Sequence, residues 1–545
     1  MSRRPISRMP KPAGMVSAPQ PEAVDAGVEV LRAGGNAVDA AIACALVQGV
    51  VDPLMSGIGG LGVMQVYDPK TGTHQVYEGI GGCPLEMKAD IWEKSYRGET
   101  TDGFGFIVDG YENECGARSV TAPAVLKLME HAHRKLGRAA WKDLFPAAIG
   151  HASKGWLIRP HVYTVFTQNE RKYGRMNYGD KVGITEDGRR IYLDKDGNLR
   201  KPGDKVLNPD LAKTLQAIAD NGADELYFGD LARATVNDVR NAGGFLSLED
   251  LASIEVLETS PLNFDFRGWG VSVPRPPFGG VLVAQVLKIV EQFPLTELGH
   301  NTDAYISVLA EAMKIALHEK EMHFGDPLQV SNPIERVMSE GSIKEHAAKI
   351  RSGAKYDLPR MKINDSKHTT HVSVVDKDGM FVSFTHTLGN PSGFIVGGHG
   401  YMLNGAMSTY DPIPGRPNSI APGRRRFSTM SPTLIFDGAT PVATLGAPGA
   451  SWIGPAVAQV ILNLLEWGMD MQQAIMAPRM VATSNAIDIS NRIPSRIQEQ
   501  LEDRGYEVRR THLSYAFAGV HGVSKFGEDV VGGADPQRDG YAGGA

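Results

Sequence analysis

TTHVSVVDKDGMFVSFTHTL, residues 369–388, decides how the rest of the chain is read. Residues 370–375 and 380–387 are apolar runs rich in Val, Thr and Phe, and Asp376-Lys377-Asp378-Gly379 between them has turn composition, so the stretch predicts a β-hairpin. Pairing Val375 with Met380 places Thr369 opposite His386, with Thr387 one step further along; at that uncertainty of one residue, either side chain is open as the partner of Thr369. Just upstream, KYDLPRMKINDSKH (residues 355–368) is polar and without apolar periodicity, and reads as an exposed loop. A loop that enters a strand at His368-Thr369 suits a chain that cuts itself. Cleavage before a Thr would leave its hydroxyl and a free α-amine, which ordinarily titrates at about 7.7–8.0, on one residue as nucleophile and base.

Downstream, residues 433–436 and 441–445 read as a second strand pair turning at Asp437-Gly438. The pair runs into Gly446-Ala447-Pro448-Gly449-Ala450 and then an apolar helix carrying Ile453, Val457, Val460, Ile461 and Leu464. The Gly449 and Ala450 amides precede the helix start expected near Ser451, where free N–H groups point at negative charge, so they are candidate oxyanion donors.

Upstream, Val24, Val28 and Leu31 predict a helix stopped by Gly34-Gly35. Asn36 suits the N-cap of a second, small-residue helix that ends at Asp52-Pro53. A hairpin is expected over residues 62–78, and residues 124–349 read as mainly helical, interrupted by a polar stretch at 181–204. The tail, residues 532–545, reads as Gly-rich low complexity. Helical layers covering antiparallel sheets, an α+β fold, is the class these elements predict.

The 545 residues carry 42% hydrophobic and 22% charged side chains, enough to bury a large core. A net charge of −6 gives no general attraction to nucleic acid. No apolar run reaches the roughly 18 residues that span a bilayer. The basic N-terminus shows no apolar signal core, and an odd count of three cysteines argues against a disulfide framework, so a cytoplasmic setting is expected. GIGGLG, residues 57–62, matches a dinucleotide fingerprint by letter, but a helix precedes it and a strand follows, the reverse of what phosphate binding needs. His318 and His323 stand five residues apart and would not share a helix face, so no metal site is expected there. For Arg424-Arg425-Arg426, a solvated charge cluster and an anion-binding role are both open.

The chain resembles the gamma-glutamyltransferases (glutathione hydrolases) over nearly its whole length. The resemblance runs through GMVSAPQPEAVDAGVEVLRAGGNAVDAA (14–41), VDPLMSGIGGLGVMQVYD (51–68), GFLSLEDL, PRPPFGG (274–280), the quoted 369–388 stretch, STMSPTLIF (428–436) and GAPGAS (446–451). It implies a four-layer αββα N-terminal-nucleophile sandwich with two stacked antiparallel sheets. It also implies cleavage between His368 and Thr369 into a large subunit, residues 1–368, and a small catalytic one, residues 369–545. By the same resemblance Thr369 is the nucleophile, Thr387 the assisting hydroxyl, and Gly449 and Ala450 the oxyanion pair. Ser428 and Thr429 stand where the family binds the donor's carboxylate, and Asn390 where it has an asparagine. Where the family grips a glutamyl group with Arg, Gln and Asp, this chain aligns Ala89, Ala406 and Thr409, which implies an amide donor that is not glutamyl; Arg118 and Arg424 to Arg426, Arg425 among them, offer replacement positive charge. No cofactor or metal is expected. The partners expected are a small-molecule amide and the chain's own cleaved subunits, as a heterodimer or a dimer of heterodimers, with no nucleic acid and no membrane. A true gamma-glutamyltransferase is the alternative, and an unprocessed scaffold the less favoured one.

Overall fold

The computed structural model describes residues 12–101, 105–358, 369–510 and 517–545; His368 and most of the expected cleavage loop lie outside them. Two large antiparallel sheets organise the chain. One has seven strands, in the order Gly540–Gly544, Met15–Pro19, Thr370–Val375, Phe381–Thr387, Leu61–Asp68, Thr73–Gly79 and Leu257–Thr259. The other has six, in the order Asp529–Ala534, His521–Phe526, Thr440–Gly446, Thr433–Asp437, Trp269–Val273 and Leu262–Phe266.

The central hairpin shows the period-2 logic of a strand. Val372, Val374, Val382 and Phe384 face one way, into a core shared with the helices Pro21–Arg32, Ala37–Val51 and Val125–Leu136. Val375 and Phe381 face the other sheet, beside Leu434 and Val523. Small hydroxyls tie the two sheets: Ser373 donates to the His521 carbonyl at 3.2 Å and Ser383 to the Leu445 carbonyl at 3.0 Å. On the second sheet pack the helices Gly280–Val290, Ile453–Leu465 and Met471–Met476.

Helix Ala37–Val51 is apolar nearly all round and correspondingly buried. Its N-cap is Asn36, in a reciprocal box with Asp39. At its other end Gly57, Gly59 and Gly60 make the helix-to-strand turn. A Cβ on Gly60 would lie 2.4 Å from the Thr387 carbonyl oxygen and one on Gly59 2.3 Å from that of Met402, so the GIGGLG glycines serve close backbone approach.

The structure corrects several sequence expectations. The hairpin pairs Val375 with Phe381, not Met380, because Asp376 accepts from the Asp378 and Met380 amides and closes a turn one residue longer. The segment read as helical contains the hairpin of Leu262–Phe266 and Trp269–Val273, and the polar stretch at 181–204 contains the helix Glu186–Tyr192, capped by Thr185. The Gly-rich tail supplies a strand to each sheet. Its glycines are packing residues: a Cβ on Gly532 would lie 2.7 Å from Ala542, and one on Gly533 2.8 Å from the Met471 backbone.

Candidate active site

The corrected register puts Thr370 opposite His386, so Thr369 comes opposite Thr387. Thr370 and His386 both turn toward helix Ala37–Val51: Gln48 donates to the Thr370 hydroxyl at 2.8 Å and meets the His386 ring at 2.9 Å. Thr369 and Thr387 take the opposite face. There the Thr369 hydroxyl donates to that of Thr387 at 3.1 Å, and the Gly389 amide donates to the same Thr387 oxygen at 2.8 Å. Parity along the strand thus excludes His386, which sequence reasoning left open.

Thr369 is buried and has φ +87°, a conformation rare for a β-branched residue. Neither neighbouring imidazole suits base catalysis near neutral pH. Burial lowers His386 to about 3 and holds His371 well below its ordinary value, and His371 is already bonded to Thr385 and Ser373.

Gly449 and Ala450 lie where strand Thr440–Gly446 turns toward helix Ile453–Leu465, with a short 3-10 turn, Ala450–Trp452, between. Gly449 has φ +136°, and a Cβ there would lie 2.5 Å from that of Ala518, so glycine is required. Ala450 adopts φ +45°, the left-handed region that alanine enters at a cost. Among the described residues neither amide is used in a backbone hydrogen bond of this turn.

A cavity of about 520 Å³ opens beside these groups, lined by Ser451, Thr429, Thr409 and Arg426 among others. Thr429 therefore reaches open space, whereas Ser428 is buried and anchored through its amide to the Pro277 carbonyl. Asn390 is buried in a polar cluster, accepting from Lys181 at 2.9 Å with Glu114 beside it, and does not line the cavity. Ala406 is buried and Ala89 exposed, both outside the cavity lining.

Arg425, read from sequence as a substrate-binding residue, does not line this cavity; it bonds Glu78 at 2.8 Å and Asp326 at 2.8 and 3.1 Å. Arg118 pairs with Glu112 at 3.2 Å and stacks over Phe245, and Arg424 bonds Gln329 and the Ser419 carbonyl. Only Arg426 of the four lines the cavity. Alternate residues of an extended segment point opposite ways, which separates Arg425 from Arg426, but no sequence signal says which of the two meets acids.

The cysteines stay out of the chemistry. Burial pushes the Cys44 and Cys83 thiols far up and Cys115 to about 11, so thiolate is scarce at neutral pH. No helix among the described residues is long and apolar enough to cross a membrane.

Known proteins share this architecture. The gamma-glutamyltranspeptidase family model matches residues 23–545. The chain is 33% identical over 506 residues to the acylase ACY 1 proenzyme of Pseudomonas sp. (strain V22), covering 91% of this chain and 88% of that protein. It is 29% identical over 554 residues to the glutathione hydrolase proenzyme of Bacillus subtilis (strain 168), covering 97% and 91%. Among solved structures, a cephalosporin acylase from Bacillus halodurans superposes with a TM-score of 0.85 at 25% identity, over 99% of this chain and 98% of that one.

Proposed function

The chain belongs to the gamma-glutamyltranspeptidase family, and from that premise we propose that it is an autoprocessed N-terminal-threonine hydrolase of small amides. The observation that carries the reading is the 3.1 Å hydrogen bond between the Thr369 and Thr387 hydroxyls at the mouth of the hairpin. The layered αββα arrangement is part of it, supported by two sheets tied face to face with helices on their outer sides.

In the processing step the Thr369 hydroxyl oxygen attacks the His368 carbonyl. The C–N bond breaks, and the Thr369 nitrogen takes up the proton to become a free amine. The resulting ester is opened by water, which leaves a carboxylate on His368 and restores the Thr369 hydroxyl. Fragments 1–368 and 369–545 remain together because strands from both interleave in the seven-stranded sheet. A β-branched residue held at φ +87° stores backbone strain at this bond, which favours its cleavage.

In turnover the new α-amine takes the proton from the Thr369 hydroxyl as its oxygen attacks the substrate amide. The Thr387 hydroxyl holds that oxygen in position, and the Gly449 and Ala450 amides receive the negative charge that develops on the carbonyl oxygen. The amine product leaves with the proton, and water or a second amine then releases the acyl group from Thr369.

Two relatives differ in name, one an acylase and one a glutathione hydrolase. Thr409 and Ala406 offer no carboxylate to an α-ammonium, which favours an acylase-like donor over a glutamyl one. Free cysteines and the net charge of −6 are consistent with action in the cytoplasm on a small molecule.

Intact-mass spectrometry tests the reading. Wild type should give fragments divided before Thr369 and, on brief exposure to an amide substrate, a mass increment of one acyl group on the 369–545 fragment. Thr369→Ala should remain one chain. Cleavage elsewhere, or efficient cleavage in the alanine variant, overturns it.

A further inference from the structure

Arg426 is buried, 4% exposed, yet it lacks the acidic partner that buried guanidinium groups normally have. No carboxylate of the described residues lies within ion-pair reach. Among the described residues its one side-chain hydrogen bond goes from Nη1 to the Thr409 hydroxyl at 3.2 Å, and its Nε has no partner. The contrast with Arg425, one residue away and bonded to two carboxylates, shows that the fold supplies acids to a neighbouring cation and withholds them here. Burial lowers the Arg426 pKa to about 10, which still leaves it charged at neutral pH.

The place of this charge is specific. Arg426 lines the 520 Å³ cavity together with Ser451, the residue after the oxyanion pair, and Thr429. Its Nη2 lies 3.3 Å from the point where a Cβ on Gly389 would sit, and the Gly389 amide holds the Thr387 hydroxyl. Of the other charges on the cavity wall, Arg416 pairs with Asp411 and Lys320 with Glu321, and the wall also carries Glu99 and Asp357, the latter bonded to the Asn485 amide. An enclosed positive charge in a low-dielectric wall attracts an anion and repels an ammonium.

We propose that Arg426 binds a carboxylate on the acyl half of the substrate, so that the preferred donors are monoamides of small dicarboxylic acids. The proposal rests on the amide-hydrolase reading. During turnover the amine product leaves and water enters while the acyl group stays, so the acyl half takes the buried part of the lining, to which Arg426, 4% exposed, belongs. The Thr429 hydroxyl lines the same cavity, whereas that of Thr409 already donates to the Ala406 carbonyl at 3.0 Å and serves to hold Arg426. A donor that presents an ammonium at this end meets a like charge and loses.

Three 4-nitroanilides of equal acyl length decide it, with the leaving group held constant: succinyl, butyryl and 4-aminobutyryl. In the processed wild-type enzyme, kcat/KM for succinyl should exceed that for butyryl by about 10- to 100-fold, the range of a charge-assisted hydrogen bond, with 4-aminobutyryl poorest. Arg426→Gln should bring the succinyl-to-butyryl ratio near one, chiefly through KM, and Arg426→Lys should recover part of it. Equal rates on succinyl and butyryl in wild type overturn the proposal, as does an equal loss on both in Arg426→Gln, which marks a merely structural residue. Calorimetric titration with succinate and with neutral succinamide separates this inference from the reading beneath it. If no anilide is turned over, the hydrolase reading fails, while succinate binding that is lost in Arg426→Gln still supports the carboxylate site and its absence in wild type refutes it.

Discussion

Replacing Thr387 by Val removes one oxygen and keeps the shape, and the structure allows the consequences to be separated. That oxygen accepts two hydrogen bonds, from the Thr369 hydroxyl at 3.1 Å and from the Gly389 amide at 2.8 Å. The methyl that replaces it leaves the buried Gly389 N–H without an acceptor, which costs about 1–3 kcal/mol of stability. The Thr369 oxygen also loses its fixed partner, and a positioned hydrogen-bonding group contributes roughly 10²–10⁴-fold to steps of this kind. Thr387→Val should therefore melt cooperatively, a few kcal/mol below wild type at most, and lose at least about 100-fold in kcat. Thr387→Ser keeps the oxygen and should retain most of the activity. Because the same pair acts on the chain's own peptide bond, intact mass must first establish the processed fraction, and turnover is then measured per processed site. Undiminished turnover in processed Thr387→Val would refute the role, and so would a serine variant as inactive as the valine one.

Arg425→Ala should cost about 3–5 kcal/mol in denaturant unfolding, because it leaves Glu78 and Asp326 buried without their cation; a normal melt with a raised KM would instead make Arg425 a substrate residue. Gly449→Ala should impair folding or activity through its 2.5 Å clash with Ala518, whereas Ala450→Gly relieves a left-handed alanine and should be neutral or stabilising by up to about 1 kcal/mol with turnover retained. Asp52 is pushed up to about 7 by burial, from an ordinary 3.8. A folded-state pKa above the unfolded one means the native state holds more protons between these values, so this group's contribution to stability falls as pH rises from about 4 to about 7. Asp52→Asn should remove that component, seen as a flatter difference in unfolding free energy against pH; a wild-type-like slope in the variant refutes the assignment. With the α-amine as base, kcat/KM should rise with pH through about 7.7–8.0, and a profile flat from pH 6 to 9 would point to a different base.

Much of this was legible in the chain itself, where the signal was local. The apolar runs around Asp376–Gly379, the Asn36 cap and the glycine turn before Leu61 each depend on neighbours within a few residues, so sequence order carries them. The glycine-alanine turn before Ile453 is local in the same way. What sequence order could not carry depends on groups far apart in the chain. A one-residue slip reverses every side chain of a strand, and it took the closure of the Asp376 turn to set Thr387, rather than His386, against Thr369. The tail glycines look like low complexity until Met15 and Met471 come to fill the space beside them. Three consecutive arginines are equivalent as letters. Only the arrival of Glu78 and Asp326, 347 and 99 residues away from Arg425, neutralises that one and leaves Arg426 charged in the cavity wall, since an ion pair is decided by distance in space, not by separation along the chain.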